Sequence, residues 1–154
     1  MPAVLDKLAS LGIQLPAAPK AVANYVPAVV AGNLVIVSGQ LPMKDGALAY
    51  KGYLGNDVSV EDGYAAARQC AINGLAALAG VIDGDWDRVK QVVRVGGFVA
   101  SASGFTDQPK VINGASDFLV EVFGEAGRHA RAAVGVGELP LGAAVEVEFT
   151  FLLG

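Results

Sequence analysis

Residues 145–151, Val-Glu-Val-Glu-Phe-Thr-Phe, alternate strictly between apolar and polar positions. Successive strand side chains point to opposite faces, so this run predicts a strand with Val145, Val147, Phe149 and Phe151 on one side and Glu146, Glu148 and Thr150 on the other. A second run precedes it across a loop containing Leu139-Pro140. There Val134 and Val136 share one parity, and Arg131, Ala133 and Gly135 share the other. Read together, the two polar faces bring one guanidinium and two carboxylates among small residues. Such a face could hold a small anion and act on it, or it could be an ordinary solvated face.

The rest of the composition narrows the choice. A chain of 154 residues, 53% of them apolar, suits one domain with a real core and makes disorder an unfavourable reading. The formal net charge is −4, and the 11 basic residues form no cluster. A groove that tracks phosphates needs a basic stripe, so no nucleic-acid partner is expected. The single cysteine, Cys70, allows no internal disulfide; it fits a reducing, cytoplasmic setting and reads as a small buried hydrophobe. One Cys and one His do not make a usual zinc site. No signal peptide is expected, because Asp6 and Lys7 interrupt the first apolar run. The apolar stretch 65–82 contains Arg68, Gln69 and Asn73 and is read as short of a membrane span, so no membrane partner is expected.

Taken in order, Val4, Leu5, Leu8 and Leu11 have helical spacing, which predicts a short amphipathic helix over 2–11 closed by Gly12. Pro16 and Pro19 then mark a linker, so residues 1–19 form an N-terminal arm and 20–154 the main domain. Strands are predicted at 25–31 and 34–39, joined by the hairpin dipeptide Gly32-Asn33. Residues 42–58 are turn-rich, with a short strand near 47–51. Ser59 begins a capping box, and the helix after it should present Ala67, Ala71, Leu75 and Leu78 on one face and stop at Gly80. A long strand is predicted next, over 89–102, with a bulge or kink at Gly96-Gly97. Pro109 sits near the start of a second helix carrying Val111, Ile112, Ala115, Leu119, Val122 and Phe123, which Gly124 ends.

The order ββαβαββ predicts an α+β domain with two helices on one face of a mixed sheet. The other face keeps apolar and small side chains, with no element left in the chain except the short arm to cover it. Association with further copies is the economical answer.

No Walker A loop, dinucleotide fingerprint or Gly-x-Ser-x-Gly elbow occurs. His129, the only histidine, borders a helix–strand junction and reads as a capping or packing residue. No cofactor and no metal are expected.

Three segments nevertheless combine into a specific pattern: Asn24-Tyr25-Val26 with Gly32 to Pro42, ending Ser38-Gly39-Gln40-Leu41-Pro42; the helix after Ser59; and Ala130-Arg131-Ala132-Ala133-Val134-Gly135-Val136, then Leu139-Pro140, then Val145-Glu146-Val147-Glu148. From about residue 20 to the C-terminus the chain resembles the RidA/YjgF family of reactive-intermediate (imine) deaminases, as a divergent branch. The resemblance implies a chorismate-mutase-like, ferredoxin-like single domain. It also implies a homotrimer with ligand clefts between subunits. Arg131 corresponds to the arginine that holds a substrate carboxylate, as a planar guanidinium is suited to do. Tyr25 and Ser38 correspond to the cleft tyrosine and serine, Asn113 to the cleft asparagine, and Glu146 to the glutamate that orients water. Backbone at Gly39 and Ala133 completes the anchor; the common bacterial form has a cysteine where this chain has Ala133.

The activity implied by this resemblance is hydrolysis of 2-imino or 2-enamino acids to 2-keto acids and ammonia, with Glu146 and Arg131 as catalytic residues. A non-catalytic carboxylate-binding trimer, serving as a sensor, regulator or chaperone-like oligomer, is the alternative. The endoribonuclease activity described for some members fits the acidic charge poorly. If Arg131 is not an anchor, it is read as a salt-bridge partner of Glu148.

Overall fold

The computed structural model describes residues 2–20 and 23–154; Met1 of the expected arm and residues 21 and 22 of the expected domain lie outside it. The alternating segment is the spine of the sheet. Val145–Leu153 is buried and half-buried in strict turn, and its inward set includes Phe149 and Phe151. In chain order the strands are Ala28–Ala31 (β1), Leu34–Gln40 (β2), Met43–Lys44 (β3), Ala47–Leu48 (β4), Val89–Ala100 (β5), Ala130–Val136 (β6) and Val145–Leu153 (β7). The main sheet runs β1-β2-β7-β5-β6, with β5 and β6 parallel and every other neighbouring pair antiparallel. β3 and β4 form a separate small hairpin turned at Asp45-Gly46, both with positive φ (52° and 79°). The expected strand near 47–51 is therefore shorter and has a partner strand of its own. β1 also begins later than expected, after Pro27, whose carbonyl still accepts from the Ser38 N–H at 2.8 Å.

Among the described residues the α-helices are Pro2–Ser10 (α1), Val60–Ile82 (α2) and Gln108–Phe123 (α3). Ser59 caps α2 by accepting from the Asp62 N–H at 3.1 Å, a cap worth about 1 kcal/mol. Gly80 does not end this helix. It runs on to Ile82, which is buried, and stops where Asp83 takes the left-handed conformation, φ 52°. Gly124 ends α3 as expected, with φ 63°.

α2 and α3 pack on each other and on one face of the sheet, which is why their contact faces are small. A Cβ on Gly114 of α3 would lie 1.9 Å from the Tyr64 carbonyl oxygen of α2, and one on Gly74 would lie 2.6 Å from the Phe149 ring. α1 is not a free arm: Val4 and Leu8 are buried in the same core. α2 has the length and apolar composition to cross a membrane, contrary to the expectation for this stretch, and most of it is buried here as the central core helix.

The other sheet face is open. Val29, Ile36 and Val134 are each close to half exposed there. The expected bulge at Gly96-Gly97 is absent. The register shifts of β5 fall earlier, between Val89 and Gln91 and between Val92 and Arg94. The two glycines serve close approach instead. A Cβ on Gly97 would meet Ile112 of α3 at 2.5 Å, and one on Gly96 would meet Glu148 on the open face at 2.8 Å.

Candidate functional site

The register of three strands decides where the polar residues go. Val95 of β5 pairs with Arg131 of β6 on one side and Phe149 of β7 on the other, so Arg131 shares the helix-side face with the core. Gly96 and Phe98 pair with Glu148 and Glu146, which share the open face. The guanidinium and the two carboxylates therefore do not share a face, contrary to the expectation from parity. Parity inside each strand is right; the relative phase of β6 and β7, set through β5, is what reverses it. The ion pair considered for Arg131 falls for the same reason. The partner of Glu148 is Arg94, at 3.8 Å and half exposed.

Arg131 lies at the sheet edge, exposed, with α3 above it. Its Nη1 donates to Asn113 Oδ1 at 2.8 Å and to Ser116 Oγ at 3.1 Å. Asn113 and Ser116 are three residues apart on a helix and so share a face. Both protons of Nη1 are thereby used, and the side-on edge made by Nε–H and Nη2–H is left for a ligand. Among the described residues no carboxylate pairs with Arg131. Ala133, two residues on, packs partly against the core on the same face of β6.

Behind Ser116 lies His129. Its Nε2 is 2.8 Å from Ser116 Oγ and its Nδ1 is 2.6 Å from the Gly127 carbonyl oxygen. Burial lowers the pKa of this histidine, and Arg131 adds to the effect against the opposing pull of the Gly127 carbonyl. Local sequence pattern makes His129 a capping or packing residue and does not single out Ser116. Two signals nevertheless point to them: His129 has the parity of Arg131, and Ser116 stands one helical turn after Asn113.

The second group lies toward the opposite edge. The pairing of β2 with β7 shifts between Val37 and Gln40, so Ser38 and Gly39 sit in a bulge. Ser38 Oγ donates to the Val26 carbonyl at 2.6 Å, which ties the segment carrying Tyr25 to β2. Tyr25 itself is exposed. Gly39 is a glycine because of Glu146: a Cβ there would lie 2.1 Å from Glu146 Oε2. The Glu146 carboxylate is half-buried over that glycine. Burial first, and then Glu148, push its pKa above the ordinary carboxylate range.

The candidate residues thus fall into two clusters, Arg131 with Asn113 and Ala133, and Glu146 with Gly39, Ser38 and Tyr25. Glu146 on the central strand β7 and Arg131 on the edge strand β6 are two strand spacings apart, about 10 Å, and face opposite sides of the sheet. Within one chain the sheet itself lies between the two side chains. Among the described residues no group of three His, Cys, Asp or Glu side chains is placed to hold a metal ion.

The chain is 50% identical over 146 residues to Protein TCP17 of Trypanosoma cruzi, covering 94% of this chain and 91% of that protein. It is 29% identical over 136 residues to a 2-iminobutanoate/2-iminopropanoate deaminase of Dermatophagoides farinae, covering 88% and 91%. Its fold superposes on the crystal structure of Atu1372, a protein of unknown function from Agrobacterium tumefaciens, with a TM-score of 0.93 and 44% identity over 99% of this chain and 94% of that one. The profile of the family described as "YjgF/chorismate mutase-like, putative endoribonuclease" matches residues 6–151. With that profile spanning nearly the whole chain and the ββαβαββ sheet in place, the chain belongs to the RidA/YjgF, chorismate-mutase-like family.

Proposed function

We propose that this protein is a hydrolytic deaminase of small 2-imino and 2-enamino acids, working in clefts between the subunits of a homotrimer. The observation that carries the reading is the guanidinium of Arg131: exposed, oriented by Asn113 and Ser116, without a carboxylate partner among the described residues, and with its side-on edge free. A fork of that kind matches a carboxylate bidentately. The likeness to an iminobutanoate/iminopropanoate deaminase supports the substrate class.

Glu146 supplies the complementary chemistry. Its elevated pKa makes it a better proton acceptor than an ordinary carboxylate. In the proposed reaction Arg131 binds the substrate carboxylate, and the enamine tautomerises to the imine. Water next to Glu146 adds to C2, and Glu146 takes the proton that water releases. That proton passes to the nitrogen to give the carbinolamine. Glu146 then moves the carbinolamine hydroxyl proton to the nitrogen as the C=O bond forms and the C–N bond breaks, and ammonia and a 2-keto acid leave. No step needs a metal or a redox cofactor.

Because Arg131 at the sheet edge and Glu146 on the central strand face opposite sides of one sheet, the cleft is assembled from the Arg131 edge of one copy and the Glu146 face of another. The half-exposed apolar residues of the open face, Val29, Ile36 and Val134, support burial against further copies. A net charge of −4 suits a single small anion better than a polynucleotide.

The test is an assay with 2-iminobutyrate and 2-iminopropionate, monitored by ammonia release, alongside solution mass measurement. Turnover above the buffer rate by a trimer is the expected result. Carboxylate binding without turnover would leave a binding protein, and a monomer with full activity would remove the intersubunit cleft.

A further inference from the structure

The side chain of His129 has two ring nitrogens and two partners, and the Gly127 carbonyl sets the tautomer of the neutral ring. The Gly127 carbonyl can only accept, so Nδ1 carries the hydrogen at that 2.6 Å contact. The neutral ring then offers a lone pair at Nε2, and Ser116, 2.8 Å away, donates its hydroxyl proton there. Arg131 can only donate, so the Ser116 oxygen accepts from Nη1 at 3.1 Å. With the ring neutral, every hydrogen bond along the line from Arg131 through Ser116 and His129 to Gly127 has one allowed direction.

We propose that His129 is a positioning residue for Arg131, acting through Ser116: it aligns the serine hydroxyl so that the serine oxygen faces the guanidinium and holds its free edge toward the cleft. The inference rests on reading Arg131 as the carboxylate anchor, and it adds a second layer to that anchor. Asn113 fixes one proton of Nη1, and the Ser116–His129 pair fixes the other. With Ser116 unaligned, the guanidinium keeps one partner and can swing about it. Because a lost orienting bond costs mainly the order of the anchor, the expected loss is about 10-fold in carboxylate binding. The effect falls on KM, with kcat largely preserved, since the reacting carbon and Glu146 are untouched.

Two substitutions separate positioning from mere packing. His129→Asn keeps a donor for the Gly127 carbonyl and loses the acceptor for Ser116. His129→Gln keeps an acceptor at the Nε2 position and loses the donor at Nδ1. If His129 positions Arg131, His129→Asn and Ser116→Ala both weaken 2-oxobutyrate binding by about 10-fold and raise KM in step, while His129→Gln restores most of the binding even though it lowers Tm. If binding instead follows Tm across the three variants, or His129→Asn binds like the parent, the proposal is overturned. Should the parent protein bind no 2-oxobutyrate and turn over no imine, the deaminase reading fails separately. The positioning claim is then decided by NMR of the Arg131 side chain. Distinct Nη1 and Nη2 signals in the parent that merge in His129→Asn support it, and signals that stay distinct in that variant overturn it.

Discussion

Arg131 and Glu146 are charged residues on strands of one sheet, and the fold treats them in opposite ways. Arg131 is exposed, yet two of its N–H groups are held by neutral oxygens. Glu146 is half-buried, yet no hydrogen-bond donor reaches its carboxylate among the described residues, and a glycine lies directly against it. A cation that is held but not neutralised is ready for an anion. A carboxylate that is desolvated but not satisfied is ready for water or a substrate proton. The two halves of the proposed site differ in their physics, orientation on one side and desolvation on the other.

The largest effect should come from the desolvated half. Glu146→Gln is expected to lower kcat by about 10²–10⁴-fold, the usual range for losing general acid–base assistance. It should also raise Tm at neutral pH. The folded pKa of Glu146 lies above its unfolded value, so the folded chain holds the proton more tightly, and this residue's contribution to stability falls as pH rises through that window. A thermal melt series from about pH 4 to about pH 8 should show that slope in the parent and lose it in the variant. A variant that is both inactive and less stable at neutral pH would mean that Glu146 is a structural carboxylate.

On the held side, Arg131→Ala should weaken 2-oxobutyrate binding by about 100-fold, as expected for losing hydrogen bonds to a charged group, with far-ultraviolet circular dichroism unchanged because the side chain is exposed. Arg131→Lys should recover little, since an ammonium lacks the fork. Equal binding by parent and alanine variant would end the anchor reading.

Gly39→Ala tests the contact that shapes the Glu146 environment. A methyl group placed 2.1 Å from Oε2 must displace the carboxylate. A fall in kcat of about 10-fold is expected with KM little changed, because a displaced base acts on chemistry more than on binding. The acid limb of the pH–rate profile should move with it.

Stability variants read the two faces directly. Gly97→Ala drives a methyl into Ile112 on the helix side and should cost about 1–3 kcal/mol by denaturant unfolding, whereas Gly96→Ala meets half-exposed side chains on the open face and should cost less. The smallest effect is expected from Arg94→Gln, which removes a half-exposed ion pair with Glu148 at 3.8 Å and should change stability by under about 1 kcal/mol. A larger loss, appearing together with a change of solution mass, would place that pair in a contact between copies.

Much of this fold is visible in local patterns. Strict alternation marks β7, Gly32-Asn33 marks the first hairpin, Ser59 caps α2, and Gly124 ends α3. These signals act over a few residues, through backbone sterics and side-chain periodicity. Gly80 and Gly96-Gly97 show where local reasoning fails. A glycine looks like a stop or a kink in sequence, but here Gly80 is passed because Ile82 beyond it still has core to enter. Gly96 and Gly97 are present because other chain segments come too close for a Cβ.

The sequence alone determined which side chains belong together along each strand, because strand geometry forces neighbours to alternate. It also placed one guanidinium and two carboxylates on strands among small residues, and the family resemblance pointed to Arg131 and Glu146 among them. Only the tertiary structure decided that Arg131 and Glu146 face opposite sides of the sheet, and that Ser116 and His129 stand behind the guanidinium. The phase between two strands is set by the register each makes with a third. The meeting of a helix with a strand edge is set by packing across the core, and neither leaves a trace in local periodicity.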